Sequence, residues 1–215
     1  MTKVSTSPEN SAESLAVRAA MRRERLAARV ALARSTELHA SMSAAIQQSL
    51  SKWFAQQSPA SFGFCAPIRG EFDCIPLATQ LISEGWQAAV AVSEHAAAPL
   101  MFRQWTPQSV MAADRHGIPV PQTEFVDAPA VLLIPLVAYD KFGFRLGYGG
   151  GYFDRTLAKY TTSGIKRVAI GVGFSLAEVE TVLPHRHDQP MDLIVTESGI
   201  QTPIRSATST STRQS

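Results

Sequence analysis

The sequence predicts an α/β fold, a three-layer, Rossmann-like domain with a mostly parallel sheet and a helical N-terminus. Three observations support this prediction. Short apolar runs bounded by turn residues recur along the chain, segments with helical character lie between them, and the N-terminal part is rich in Ala, Arg and Leu. Buried parallel strands have continuous apolar sequences, and helices that alternate with them cover the sheet.

Four segments have the character of helices. Residues 15–34 contain neither Gly nor Pro and are rich in residues that favour helices, and residues 39–57 form a second such segment that ends before Pro59. Residues 75–84 and 154–160 each lie between apolar runs. We therefore expect them to be crossover helices.

Five apolar runs are predicted to be strands, because each is short and is bounded by turn residues. They are residues 62–66, 88–92, 131–136, 168–172 and 193–195.

Length and composition predict one domain, over residues 15–201. The polar, Ser/Thr-rich ends, residues 1–14 and 202–215, cannot bury enough surface to order themselves and are expected to be disordered tails. The net charge of +2 favours neither a nucleic-acid nor a membrane partner. Without a signal sequence or an apolar run of about 20 residues, we expect a cytoplasmic protein. A monomer is also expected.

The two cysteines, Cys65 and Cys74, have no metal-ligand spacing, so reduced and partly buried thiols are expected.

A glycine-rich segment follows the apolar run at residues 131–136. It reads Arg145-Leu146-Gly147-Tyr148-Gly149-Gly150-Gly151-Tyr152-Phe153-Asp154 and leads into a predicted helix. Glycines let backbone N–H groups approach an anion, and the helix N-terminus adds partial positive charge. The spacing matches neither the P-loop nor the dinucleotide-binding pattern. Phosphate binding is therefore the favoured prediction, with a flexible loop or a tight turn as the alternative.

Four arginines share one face of the first predicted helix, because they are spaced by four, three and four residues. They are Arg18, Arg22, Arg25 and Arg29. The face could clamp a triphosphate, but spacing alone favours a solvated basic stripe.

Two carboxylates could hold a magnesium ion beside the glycine loop. Asp154 follows the loop, and Asp188 precedes the last predicted strand. Mg²⁺ commonly joins one or two carboxylates to nucleotide phosphates. Taken singly, Asp154 is more typical of a helix N-cap and Asp188 of a turn. The nearby His185 and His187 are more typical of a surface loop than of a metal site.

The chain resembles 5-formyltetrahydrofolate cyclo-ligases, also called 5,10-methenyltetrahydrofolate synthetases, from about Arg18 to Ile200. The segment from Arg145 to Arg155 carries the most specific match. Weaker matches follow in the right order: the basic helix, residues 70–73, 100–105 and 117–119, His187 with Asp188, Met191 with Asp192, and residues 195–197.

The resemblance implies an ATP- and Mg²⁺-dependent ring closure of 5-formyltetrahydrofolate to 5,10-methenyltetrahydrofolate, with release of ADP and phosphate. In the family's proposed chemistry the formyl oxygen attacks the γ-phosphate, and N10 attacks the resulting N5 iminium phosphate. Phosphoryl transfer of this kind needs positioning and charge neutralisation more than a protein nucleophile. The partners implied are small molecules, ATP and a folate.

The resemblance also implies roles for particular residues. Arg145 is the implied catalytic residue, and Asp154 with Asp188 the magnesium ligands. Glu71 would hydrogen-bond the pterin, and residues 148–152 would line the folate side. The implied ATP-binding residues are Arg18, Arg22, Arg145, Leu146, Gly147, Tyr148, Gly149, Gly150, Gly151, Tyr152 and Phe153. Phe102 and Trp105 could wall the folate pocket but are more typical of core residues.

Three positions depart from the family pattern. Arg18 stands where the family usually has lysine, Cys74 where threonine is common and Val120 where glutamate is common. Two other functions are therefore considered. A non-catalytic folate or nucleotide sensor is disfavoured by the complete set of Arg145, Asp154 and Asp188, and a nucleic-acid-binding module by the modest charge.

Overall fold

The computed structural model describes residues 12–205, and an eight-stranded sheet forms the centre of the molecule. The helices are α1 (Ala12–Arg34), α2 (Thr36–Phe54), α3 (Ile75–Ser83) and α4 (Tyr152–Thr162). The strands are β1 (Ser61–Phe64), β2 (Gln87–Val92), β3 (Met101–Trp105), β4 (Met111–Ala113), β5 (Pro119–Pro121), β6 (Phe125–Val126), β7 (Val131–Pro135), β8 (Ala138–Tyr139), β9 (Arg145–Leu146), β10 (Val168–Val172), β11 (Leu193–Thr196) and β12 (Gly199–Gln201).

The strand order in the main sheet is β12-β11-β10-β7-β1-β2-β3-β6. The five strands from β11 to β2 in that order are parallel, whereas β12, β3 and β6 pair antiparallel with their neighbours at the two ends. Two short antiparallel pairs, β4-β5 and β8-β9, lie outside this sheet. The parallel strands place their carboxyl ends along one edge, where open α/β sheets bind ligands.

Both faces of the parallel strands are buried, and β7 shows this directly. Val131 and Leu133 belong to a core cluster with α2 and α3, whereas Leu132 and Ile134 pack with α4 on the opposite face. Successive residues of a strand point to opposite faces, so an unbroken apolar run requires helices on both sides. The prediction of a three-layer, mostly parallel α/β fold is confirmed.

All five predicted strands and all four predicted helices are present; β10 has the predicted bounds, and the other elements have one or both ends shifted. Helix α1 begins at Ala12, inside the segment predicted to be a tail. Pro203, in the other predicted tail, is buried, and the N–H of Ile204 donates to the carbonyl of Lys141 at 2.9 Å. Residues 1–11 and 206–215 lie outside the described residues.

Phe102 and Trp105 are 2% and 5% exposed, which confirms the prediction that they are core residues. They lie on β3 and belong to the core clusters on opposite faces of the sheet. Cys65 and Cys74 are free thiols, as predicted, and burial raises the pKa of both. Within residues 12–205, no helix is long and apolar enough to cross a membrane.

Candidate functional site

The glycine loop lies beyond the carboxyl end of β7 and leads directly into α4. Residues 148–150 are exposed, so their backbone is open to a ligand. Gly149 and Gly151 have φ angles of +100° and +63°, in the left-handed region that favours glycine. The sequence requires glycine at these two positions because the chain must turn there to start α4.

The N-terminus of α4 keeps its backbone donors free. Gly151 is the N-cap residue and, lacking a side chain, makes no side-chain cap hydrogen bond. The first N–H groups of a helix have no partner within the helix and can bind an anion. Asp154 lies in the first turn instead, so the alternative that it caps the helix is wrong.

The basic face of α1 is not a solvated stripe, and that alternative is also wrong. Arg18 and Arg29 are only 8% and 4% exposed. Arg22 Nε donates to the carbonyl of Gly147 at 2.7 Å, and Arg25 donates to the carbonyl of Leu176 at 2.9 Å. Spacing alone could not predict this, because the carbonyls that accept these bonds lie more than 100 residues away in sequence.

Arg18 forms an ion pair with Asp188, one of the two predicted metal ligands. Its NH1 donates to Asp188 Oδ2 at 2.7 Å and to the carbonyl of Leu183 at 2.7 Å. Asp188 Oδ2 also accepts a hydrogen bond from the N–H of His185 at 2.9 Å. Asp188 therefore also closes a turn, which was the alternative interpretation of this residue. The same two charges act on Arg22. Burial and the charge of Arg18 lower its pKa, whereas the charge of Asp188 raises it.

Arg145 forms an ion pair with Asp154, the other predicted metal ligand. It is buried at the start of β9, and its NH1 donates to Asp154 Oδ1 and to the carbonyl of Gln189, each at 3.0 Å. The N–H of Gln189 also donates to Asp154 Oδ1, at 3.1 Å. Because Asp188 directly precedes Gln189 in the chain, these contacts hold the two aspartates in one neighbourhood.

The two carboxylates suit an ion shared with a ligand rather than one enclosed by protein. Among the described residues, no group of three or more His, Cys, Asp or Glu side chains could hold a metal. The hydrogen bonds within that range involve Asp154 Oδ1 and Asp188 Oδ2, which leaves one oxygen of each carboxylate for another partner. Mg²⁺ commonly uses one or two carboxylates and completes its shell with phosphates and water.

Glu71 lies at the other side of the glycine loop, in a buried network. Tyr148, from the loop, donates to Glu71 Oε1 at 2.7 Å and accepts a short hydrogen bond from Arg29 NH2. Arg29 NH2 also lies 3.5 Å from Glu71 Oε1. The predicted folate residue and the predicted nucleotide loop are therefore joined through one hydroxyl group.

Burial dominates the ionisation of this network. It raises the pKa of Glu71, although Arg29 and a hydrogen bond from the N–H of Ile68 lower it in part. It likewise raises the pKa of Tyr148, so the hydroxyl stays protonated and can donate. The carboxylate of Glu71 would be more basic than that of an ordinary glutamate.

A small cavity of about 20 Å³ lies beside Glu71 and is lined mainly by apolar side chains. Cys74, one of the departures from the family pattern, lines it together with Cys65. The volume accommodates little more than one water molecule. A ring system does not fit in this cavity, whereas Tyr148, which hydrogen-bonds Glu71, is 38% exposed.

Not every predicted nucleotide residue presents its side chain to the loop. Leu146 is fully buried in a cluster with Ala138 and Val182, and Phe153 packs against the core on the α4 face. For Leu146, only the backbone could contact a ligand, whereas Phe153 is partly exposed. Tyr152, by contrast, turns outward, and its hydroxyl lies 3.3 Å from His116 Nε2.

Arg29 was predicted only as part of the basic face of α1, but the structure places it in the network around Glu71. It donates to the carbonyls of Leu136 and Arg69, at 3.0 and 3.1 Å, besides contacting Tyr148 and Glu71. The four-residue spacing from Arg25 did place Arg29 on the same face of the helix as the other arginines. That spacing did not distinguish an arginine facing water from one facing a buried carboxylate.

Comparisons with known proteins agree on one family. Residues 14–197 match the model of the 5-formyltetrahydrofolate cyclo-ligase family. A cyclo-ligase of that name from Escherichia coli (strain K12) is 34% identical over 137 residues, covering 61% of this chain and 74% of that protein. The 5,10-methenyltetrahydrofolate synthetase structure from Aquifex aeolicus has a TM-score of 0.74 at 24% identity, covering 92% of this chain and 100% of that one. The Mycoplasma pneumoniae synthetase structure has a TM-score of 0.68 at 23% identity, covering 84% and 98%.

Proposed function

The chain belongs to the 5-formyltetrahydrofolate cyclo-ligase family, and on this basis we propose that it converts 5-formyltetrahydrofolate to 5,10-methenyltetrahydrofolate in a reaction that consumes ATP and requires Mg²⁺. One observation supports the proposal above the others. Tyr148 belongs to the glycine loop and hydrogen-bonds Glu71 at 2.7 Å, so the loop that would bind phosphate and the buried carboxylate that would accept the pterin are adjacent. A reaction that joins ATP to a folate needs this adjacency.

The nucleotide would lie across the glycine loop. The exposed backbone of residues 148–150 and the uncapped N-terminus of α4 would surround its phosphates, and Arg22 would approach them from α1. Arg18 would act from beside Asp188. Nucleotide binding at this loop would use mainly backbone donors, as anion sites at helix N-termini do.

In the proposed first step the formyl oxygen attacks the γ-phosphorus. A P–O bond forms, the bond between the γ-phosphorus and the bridging oxygen of ADP breaks, and ADP leaves. Arg145 would neutralise charge on the transferring group. Its NH1 is occupied by Asp154 and Gln189, but its other two guanidinium nitrogens make no hydrogen bond within residues 12–205.

In the second step N10 attacks the former formyl carbon of the N5 iminium phosphate. The new C–N bond closes the ring, the C–O bond breaks, phosphate leaves with the oxygen, and the proton of N10 is released. Glu71 would accept hydrogen bonds from the amino and ring N–H groups of the pterin, which holds N5 and N10 in position.

Asp154 and Asp188 would hold Mg²⁺ through the carboxylate oxygens that the protein leaves free. Bound there, the ion would screen the charge of the phosphates. The residues themselves contribute the fixed positions, because Arg145 and Arg18 restrain one oxygen of each carboxylate.

The proposal predicts an absorbance increase in the near ultraviolet when purified protein is mixed with 5-formyltetrahydrofolate, ATP and Mg²⁺. Omission of ATP or of Mg²⁺ should abolish the increase, and ADP and phosphate should appear in equal amounts. Saturable binding of both ligands without product would instead identify a non-catalytic sensor.

A metal-ligand variant tests the role of the aspartates. Asp154→Asn should raise the Mg²⁺ concentration needed for half-maximal rate by roughly tenfold or more, because a neutral amide is a weaker magnesium ligand than a carboxylate. The exposed Asp127 provides a matched control, Asp127→Asn. An unchanged magnesium requirement in Asp154→Asn would return that residue to a structural role.

We also propose a cytoplasmic monomer, with the domain spanning residues 15–201. Unpaired cysteines are typical of a reducing compartment, and Cys65 and Cys74 are both free. Size-exclusion chromatography with light scattering tests the oligomeric state, for which one chain mass is expected.

A further inference from the structure

A second pocket, of about 190 Å³, lies beyond the carboxyl end of β2 and takes no part in the site described above. The β4-β5 hairpin forms its other wall. The polar side chains that line it are Ser93, Glu94, Arg103, Asp114, Arg115 and Gln122. Its volume holds several non-hydrogen atoms of a ligand, unlike the small cavity beside Glu71.

Ser93 indicates that the pocket is built for a polar ligand. The residue is 8% exposed, and its hydroxyl is buried without a hydrogen-bond partner in the described part of the chain. Buried hydroxyl groups almost always have a partner, so an exception calls for an explanation. A ligand that supplies the missing hydrogen bond provides one.

The charged groups of the pocket are held in place. Arg103 donates to the carbonyl of Thr123 at 2.7 Å, lies 3.3 Å from Glu94 and stacks over the ring of Phe125 at 4.0 Å. Asp114 Oδ1 accepts two backbone N–H groups that fix the hairpin turn.

Arg115 is the free cation of the pocket. It is exposed and forms no hydrogen bond or ion pair with any other residue between 12 and 205. With two arginines and two carboxylates, the pocket suits a group that has both a carboxylate and N–H donors. A polyphosphate, which has only acceptors, fits it poorly.

The pocket lies at the same edge of the sheet as the proposed folate site. Strands β1 and β2 are parallel neighbours, with Phe64 opposite Val90, so the segments that follow them lie at the same edge of the sheet. Val92 and Val120, which line the pocket, belong to the same core cluster as Phe72 and Cys74 beside Glu71. The two places therefore share one edge and one face.

The hairpin turn also reaches the glycine loop. His116, in the turn between β4 and β5, contacts the hydroxyl of Tyr152. A folate whose pterin lies against Glu71 would pass between this contact and the strand ends. Its opposite end carries glutamate.

We propose that this pocket binds the glutamyl tail of the folate substrate. The α-carboxylate of the tail would accept hydrogen bonds from Arg115 and from the Ser93 hydroxyl. The amide N–H of the tail would donate to the side-chain oxygen of Glu94 or Gln122. The inference rests on the proposed function. It adds a specificity subsite, since a tail-less pteroate would bind Glu71 but leave Ser93 and Arg115 without partners.

The test compares 5-formyltetrahydropteroate, which lacks glutamate, with 5-formyltetrahydrofolate. Arg115→Gln should raise KM for the folate by about tenfold with kcat unchanged, because a hydrogen-bonded charge pair is lost. KM for the pteroate should not change. An equal rise for both substrates would overturn the proposal.

Ser93→Ala separates a binding role from a structural one. Removal of a buried hydroxyl that has no partner should leave Tm unchanged or higher, while KM for the folate rises and KM for the pteroate does not. A lower Tm with no change in selectivity would overturn the role of Ser93. Arg23→Gln, on the exposed side of α1, is the control that should leave both substrates unaffected.

Direct titration with p-aminobenzoylglutamate does not depend on turnover. Calorimetry should show saturable binding that Arg115→Gln weakens about tenfold and Arg23→Gln does not. Absence of binding to a folded wild-type protein would overturn the tail subsite. Wild-type protein that binds this fragment but forms no methenyl product would instead contradict the proposed function alone.

Discussion

Glu71 combines a buried carboxylate with a nearby cation, and burial has the larger effect on its pKa. Because the pKa is raised on folding, the native protein holds the proton over a pH range in which the unfolded chain has released it. The resulting contribution to the free energy of unfolding is complete below the unfolded pKa and is lost as pH rises through the folded pKa. Its loss at higher pH is a cost of keeping a hydrogen-bond acceptor in the interior.

The same shift predicts the pH dependence of folate binding. If the ionised carboxylate accepts the pterin N–H groups, KM for the folate should rise as pH falls through the raised pKa, above the ordinary range for glutamate. Glu71→Gln should bind more weakly at high pH and lose this dependence. A pH series of KM measurements would contradict the assignment if both proteins gave the same profile.

Arg29 stabilises the network from the side of α1. Arg29→Met should lower the free energy of unfolding by about 3–5 kcal/mol, because it leaves Glu71 buried without its cation. Urea denaturation measures the change, with exposed Arg23→Met as the control. Adding Glu71→Gln to Arg29→Met should restore part of the loss, whereas additive losses would show that the two side chains do not interact.

The glycine loop and α4 act as one element, and a pair of glycines separates strain from function. Gly151 and Gly164 both have positive φ, +63° and +68°, but only Gly151 borders the proposed phosphate site. Alanine at either position should cost about 1–2 kcal/mol of stability. Only Gly151→Ala should raise the KM for ATP.

Gly164 suits this comparison because an added Cβ there would meet no atom within 4 Å. At Gly151 it would approach the flexible end of Arg155. Thermal unfolding and steady-state kinetics of the two variants are the measurements. Equal activity in both would remove the phosphate role of the loop.

The elements that sequence predicted well are those whose pattern is local. The apolar run at residues 168–172 predicts both ends of β10 correctly, because a strand that is buried on both faces contains no polar residue. Strand β3 was not predicted, because its residues alternate between buried and exposed and include Arg103 and Gln104. Its place depends on pairing with β2, which no local pattern reveals.

The candidate site shows the same division. The glycine loop could be located from sequence, because glycine has a specific backbone role at Gly149 and Gly151. The burial of the α1 arginines could not be predicted from sequence, because their partners lie in distant loops. Arg18, for example, bonds Asp188 across 170 residues of sequence.

At the scale of the whole molecule, the two largest core clusters share one sheet, so unfolding should be a single cooperative transition. A non-hydrolysable ATP analogue with Mg²⁺, at about 100 times its Kd, should add roughly 2.7 kcal/mol to the free energy of unfolding. Scanning calorimetry with and without the analogue measures both. Two separate transitions would contradict the single domain spanning residues 15–201.

The long-range contacts of α1 also bear on how the protein is synthesised. The helix leaves the ribosome before its partners do, because Arg18, Arg22 and Arg25 bond residues that lie 125 to 170 positions later. Contacts so distant in sequence close late and slow folding. Until the last strands have emerged, a nascent chain therefore has a helix with unmatched cations and no complete ligand site. Binding competence can arise only after the chain has been made as far as Asp188.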